Sequence, residues 1–72
     1  MLEFSKTILQ KVSFDKFLFS KELKKLILWM KEDKEGISDL YHWCIDKYGS
    51  TYSDIITEGF YKSEKNSYKN NY

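Results

Sequence analysis

Apolar residues recur every three or four positions through most of the chain, a spacing that places them on one side of an α-helix. The clearest case is the segment from Ser20 to Asp33, which is dominated by strong helix formers and begins at a residue suited to cap a helix. We predict that this segment is the central helix. Its predicted core-facing residues are Phe19, Leu23, Leu26, Ile27 and Met30.

The remaining periodic segments predict further helices on either side of the central one. The first helix is predicted to face the core with Met1, Phe4, Ile8 and Val12, with Leu9 at the edge of that side. A connector from Phe14 to Phe19 follows it, and its pattern fits a strand, a turn or a bent helical start equally well. A third helix is predicted from Ser38 to about Tyr48, with Ile37, Leu40, Cys44, Ile45 and Tyr48 facing inward.

The three glycines are the main interruptions, because the chain contains no proline. Gly36 and Gly49 follow periodic segments and are predicted to end helices. Gly59 lies inside a fourth predicted helix, which begins after Thr51 and ends near Lys62, and it is expected to allow close packing. The inward residues of this fourth helix are predicted to be Tyr52, Ile55, Ile56 and Phe60.

Length and composition indicate one domain. A chain of 72 residues is too short for two independent cores, and we assign the domain to residues 1–62. Residues 63–72 are mostly Ser, Glu, Lys and Asn, so we expect them to form a disordered polar tail. The predicted fold class is therefore all-α, a small bundle of three to four short helices with a polar C-terminal tail.

The charge balance argues against a nucleic-acid or membrane partner. The net charge is only +1, and the basic residues are all lysines, without the arginine that favours phosphate and guanine recognition. No segment is long and apolar enough to cross a bilayer, and the start of the chain lacks the features of a signal peptide. With a single cysteine, no internal disulfide can form. We expect a cytoplasmic protein.

The residue types that carry out catalysis or bind metals do not form a recognisable site. His42 and Cys44 lie two positions apart on a predicted helix, which points them to opposite sides and prevents a shared metal or a Cys–His pair. Asp54 and Glu58 share a helical face without an evident pocket, and solvation explains them. We predict no catalytic residue, no metal site and no cofactor, and hence no enzyme.

A helix-turn-helix is a second interpretation, with the central helix followed by a recognition helix from Ser38 to Tyr48. Its chemistry is poor, because that helix carries Asp39 and Asp46 and only Lys47 as a cation. Lys21, Lys24 and Lys25 form a basic cluster on the central helix, which a solvated helix face explains.

Three apolar residues do not fit the core-facing sides of their helices: Leu28, Trp29 and Trp43. They are either core residues covered by a third neighbouring helix or part of an exposed surface for another protein or a second copy of the chain. The hypothesis from the sequence is a non-enzymatic protein-interaction or assembly module that uses these residues. The alternatives are a small helix-turn-helix-like DNA-binding regulator and an accessory subunit of an enzyme encoded elsewhere.

Overall fold

The computed structural model describes the backbone of residues 1–69 and the side chains of residues 1–61. The described part consists of helices and short turns, with α1 at Leu2–Lys11, α2 at Lys16–Trp29 and α3 at Lys34–Lys69. The predicted all-α bundle is confirmed. Helix α3 extends to Lys69, beyond the end that was predicted near Lys62. The predicted disorder of the tail stays a prediction, because residues 70–72 and the side chains after residue 61 lie outside the described residues.

Helix α2 begins earlier than the sequence analysis predicted. Its N-cap is Asp15, whose carboxylate accepts hydrogen bonds from the backbone N–H of Phe17 at 2.9 Å and of Leu18 at 3.2 Å. The predicted cap at Ser20 is therefore wrong, and most of the predicted connector is helical. Aspartate is as good an N-cap as serine, and the Phe-Leu-Phe run that follows Asp15 continues the helix without a break.

Helix α3 also begins earlier, at the cap residue Asp33 rather than at Ser38. The Asp33 Oδ1 atom accepts a hydrogen bond of 2.9 Å from the backbone N–H of Gly36. Gly36 therefore lies in the first turn of α3 and does not end a helix. It is buried, and a Cβ atom added there would collide with the Asp33 carboxylate and come within 2.9 Å of Met30 Cε. The glycine leaves room for the cap.

A break at Tyr52 divides α3 into two arms, residues 34–51 and 53–69. Tyr52 has non-helical backbone angles of φ −123° and ψ 30°. The predicted helix end at Gly49 is wrong, because the helix continues through Gly49 without a positive φ there. The rings of Tyr41 and Phe60 lie 5.2 Å apart, although a straight helix would separate their positions by about 28 Å. The second arm therefore folds back beside the first.

The chain thus runs up and down the bundle like four antiparallel helices. Ser5 Oγ donates a 3.5 Å hydrogen bond to Met30 Sδ, which places the start of α1 beside the end of α2. At the opposite end, Tyr52 Oη donates a 2.6 Å hydrogen bond to the Ser13 carbonyl in the turn between α1 and α2. Short turns and antiparallel neighbours are typical of small helical bundles.

An aromatic joint holds the bend of α3 against α2. Its members are Phe19, which is fully buried, together with Tyr48 in the first arm and Tyr52 at the break itself. The Phe19 ring lies 5.1 Å from the Tyr48 ring at 68° and 4.9 Å from the Tyr52 ring at 38°. Such edge and tilted contacts add stabilisation beyond the burial of apolar area. One side chain of α2 thereby contacts both the break residue and the turn of helix that precedes it.

The core lies on one side of α2, and its predicted members are all buried: Phe19, Leu23, Leu26, Ile27 and Met30. On α3, Leu40, Cys44, Ile55 and Ile56 are buried as well. Ile45 was predicted to face inward but is exposed, because it lies on the edge of the α3 face that the core covers. The prediction for Gly59 is confirmed, since a Cβ atom there would approach Leu23 Cδ2 to 3.2 Å.

The predicted core side of α1 is half right, because Ile8 and Val12 pack against the core whereas Met1 and Phe4 do not. Met1 and Phe4 are more than half exposed, and the buried residues of this helix are Ser5 and Leu9. Ser5 is small, and its hydroxyl donates a hydrogen bond to Met30 Sδ, so α1 can approach α2 closely at that point. A pattern based on large apolar residues alone could not place a buried serine at the centre of the contact.

Two alanine substitutions are expected to have opposite effects on stability. Gly49→Ala should stabilise the protein by about 0.5 to 1 kcal/mol, because the added Cβ meets only an ordinary contact, 3.5 Å from Ile45 Cγ2, and alanine is the better helix former. Gly36→Ala should destabilise it by about 1 kcal/mol, because the new Cβ displaces the Asp33 cap. Urea unfolding of both variants is the measurement, and equal shifts in the same direction would contradict the assignment.

Candidate interaction surface

One side of α2 is not covered by another helix in the described part of the bundle, although its edge at Phe17 and Lys24 borders α3. We call it the outer face of α2. All of its members are exposed, and they are Phe17, Leu18, Lys21, Lys24, Lys25, Leu28 and Trp29. The apolar members occupy the two ends of the helix and the lysines lie between them. This side is opposite the core stripe, because helical positions advance by about 100° per residue.

Leu28 and Trp29 are large apolar side chains that the fold itself does not use. Leu28 is 63% exposed and Trp29 is 60% exposed, although the neighbouring Leu26 and Ile27 are buried. The interpretation in which a third helix covers both residues is therefore wrong for the chain as described. The two residues lie side by side at the end of α2.

Trp43 is in a different environment and does not join Leu28 and Trp29. Its ring is partly buried, and it contacts the Tyr48 ring edge-on at a centroid distance of 5.7 Å. The ammonium groups of Lys6 and Lys47 lie 5.9 Å and 6.0 Å from the centre of the Trp43 ring. Trp43 thus packs between α1 and the aromatic joint. The ammonium groups of Lys6 and Lys47 make cation–π contacts with its partly exposed ring.

The sequence analysis missed the apolar residues at the other end of α2. Phe17 is 83% exposed and Phe14, in the preceding turn, is 79% exposed. The signal was available in the spacing, since Phe17 precedes Leu28 by three helical turns and falls on the same side of the helix. It was overlooked because the cap was placed at Ser20, which left Phe17 outside the predicted helix.

The lysines of the outer face differ in their ion pairs. Lys24 Nζ lies 3.7 Å from a carboxylate oxygen of Glu58, and Lys25 Nζ lies 3.6 Å from one of Glu22. No ion pair within the described residues involves Lys21. Pairs at these distances between exposed side chains contribute little to stability and rearrange readily. The lysines are therefore available to a binding partner.

The candidate catalytic residues are separated in the structure. His42 is exposed, and its Nδ1 atom lies 2.9 Å from the Ser38 carbonyl oxygen, whereas Cys44 is fully buried. Burial raises the pKa of the Cys44 thiol from 9.0 to about 12, so the thiolate needed for nucleophilic attack is scarce at neutral pH. Asp54 forms an ion pair of 3.8 Å with Lys16 across the bundle.

Among the described residues, no group of three His, Cys, Asp or Glu side chains is arranged to hold a metal ion. A shallow groove between α2 and α3 is lined by Lys16, Phe17, Ser20, Asp54, Ile55 and Glu58. None of the helices in the described part combines the length and the apolar character needed to cross a membrane.

The fold and the surface define a small antiparallel helical bundle with one uncovered helix face. Comparisons of the chain with protein-family models, with curated proteins and with solved structures found no significant match. The functional argument therefore rests on the residues of this chain.

Cys44 is expected to make stability depend on pH in the alkaline range. The unfolded chain loses the thiol proton near pH 9.0, whereas the folded protein keeps it up to about pH 12, so the contribution of Cys44 is complete below pH 9 and falls above it. At pH 10 the loss should be about 1.4 kcal/mol. Urea unfolding of wild type and Cys44→Ala at pH 8 and pH 10 is the measurement. A stability difference that stays constant between these pH values would contradict the burial of the thiol.

Proposed function

We propose that this chain is a non-enzymatic protein-interaction module of the cytoplasm, which docks on another protein through the end of α2. The observation that carries the proposal is the joint exposure of Leu28 and Trp29 on a helix whose opposite side is fully packed. Adjacent exposed leucine and tryptophan side chains favour a protein partner, because large apolar groups gain free energy when another surface removes them from water.

The surroundings of Trp29 suit a binding residue. Its helix is fixed by the Asp15 cap and by the buried stripe, so the ring is presented from a rigid element. Tryptophan is among the residues that contribute most to binding free energy when they are truncated in protein interfaces. A rigid helix also loses little conformational entropy on docking. The same surface would serve an accessory subunit that docks on an enzyme.

The DNA-binding alternative is less well supported, because the first arm of α3, which would be the recognition helix in a DNA groove, is acidic on its exposed side. The exposed side chains of the first arm include Glu35, Asp39 and Asp46, which phosphates would repel. That arm carries two lysines, Lys34 in its first turn and Lys47, whose ammonium group lies near the Trp43 ring. The absence of arginine removes the side chain that reads guanine most often.

The chemistry of the described side chains also favours a binding role over catalysis. The thiol of Cys44 is buried and protonated at neutral pH, and the imidazole of His42 lies on the surface of the same helix. Asp54 pairs with a lysine of α2 and not with a second carboxylate. We therefore propose that the chain acts by contact alone.

Substitution of either exposed residue should weaken binding without unfolding the protein. We expect Leu28→Gln and Trp29→Gln each to change the free energy of unfolding by less than about 1 kcal/mol, because both side chains are mostly exposed and glutamine is a good helix former. Each substitution should weaken partner binding by about tenfold or more. Thermal unfolding and quantitative affinity capture from the native cell, with the whole chain as bait, are the measurements.

The matched control is Ile45→Gln, which changes an exposed isoleucine on α3. It should leave the captured proteins unchanged. The proposal is wrong if Leu28→Gln and Trp29→Gln capture the same proteins in the same amounts as the wild type. It is also wrong if both variants unfold, since the two residues would then belong to the core.

A further inference from the structure

The proposed function leaves open what kind of protein surface fits α2. Resting on that function, we propose that the partner is an acidic amphipathic helix that lies along the whole outer face of α2, with an apolar anchor at each end and carboxylates between the anchors. The pattern of the outer face carries this inference, because both its apolar ends and its basic centre require a complement.

The apolar ends are spaced for a helix. Phe17 and Leu28 are eleven positions apart, which is about three turns, so they point in nearly the same direction and are separated by about 16 Å along the helix axis. Leu18 and Trp29 repeat this spacing one position later. A second helix packed along α2 can present apolar residues at the same separation, whereas a compact side chain or a short loop reaches only one end.

The centre of the outer face is basic. Lys21 and Lys25 lie between the two apolar ends, on the middle line of the face, and Lys24 lies at its edge. The carboxylate paired with Lys25 belongs to Glu22, whose side chain is only 25% exposed and lies toward the flank. A partner whose central residues are Glu or Asp would therefore meet two ammonium groups, and the remainder of its contact would be apolar.

A second copy of the chain fits this pattern poorly. An antiparallel pairing of two α2 helices that sets Phe17 against Trp29 and Leu18 against Leu28 also sets Lys21 against Lys25. The twofold axis between the copies repeats the Lys21–Lys25 contact, so four ammonium groups would meet at the centre of the interface. Like charges placed together in an interface oppose association. Replacing the second copy by an acidic helix keeps the apolar contacts and reverses the sign of the central interaction.

A pair of designed peptides tests the inference on the intact protein. Both peptides are amphipathic helices with a leucine pair at each end, eleven positions apart. One carries Glu at the positions between the pairs and the other carries Lys. We expect calorimetry to show that the Glu peptide binds at least tenfold more tightly than the Lys peptide, and that Phe17→Gln weakens its binding as Leu28→Gln does.

Charge reversal in the protein supplies the matched control. The double variant Lys21→Glu, Lys25→Glu should reverse the preference, and Lys21→Gln, Lys25→Gln should remove it, provided that thermal unfolding shows both to be folded. The neutral variant keeps the test valid if the acidic one does not fold. A reversed preference would show that the central charges select the partner.

Several outcomes would overturn the inference and are distinguishable from failure of the proposed function. If the two peptides bind with equal affinity, and Leu28→Gln weakens the binding of both, the proposed docking function is supported and the proposal of an acidic partner is wrong. Concentration-dependent dimerisation of the chain through Leu28 and Trp29 would identify a second copy as the occupant. Tighter binding to anionic vesicles than to the Glu peptide would identify a lipid surface, and absence of binding to either peptide would also refute the inference.

Discussion

The contact of Phe19 with Tyr48, one turn before the bend of α3, and with Tyr52, at the bend itself, is the interaction on which the rest of the structure depends. Phe19 lies 5.1 Å from the Tyr48 ring and 4.9 Å from the Tyr52 ring, and the Tyr52 hydroxyl reaches the Ser13 carbonyl at 2.6 Å. These contacts join α2, the first arm of α3, the bend itself and the turn after α1. A small core has few other means of fixing a helix that changes direction.

The bend decides which side of α2 is covered. Because the second arm returns along α2, Gly59 comes against Leu23 and Ile27, and Glu58 comes within 3.7 Å of Lys24. The core stripe of α2 is thereby closed by α1 and by the two arms, and the described chain provides no element for its outer face. The exposure of Leu28 and Trp29 is a consequence of this arrangement. The candidate binding surface and the core are opposite sides of the same helix.

The sequence predicts the class of fold and the core of α2, because spacing of apolar residues is strongest where one helix buries a single stripe. The predicted starts of α2 and α3 are wrong, because each helix has two equally good candidate caps and only the tertiary packing selects between them. The caps used are Asp15 rather than Ser20, and Asp33 rather than Ser38. The helix end predicted at Gly49 is wrong, because the helix continues through Gly49 and changes direction at Tyr52, where no glycine marks the break. Leu28 and Trp29 could be singled out by their poor fit to the stripe, whereas Phe17, although correctly spaced, was overlooked because the predicted helix began after it.

The most direct test of this account is the distance between the two arms of α3. Spin labels attached to cysteines that replace His42 and Tyr61, in a chain also carrying Cys44→Ala, sit next to Tyr41 and Phe60, whose rings lie 5.2 Å apart. The account predicts a separation well below 20 Å in electron spin resonance, and a longer one when Phe19→Ala removes the joint. A separation of about 28 Å, the value for a straight helix across these positions, would contradict it.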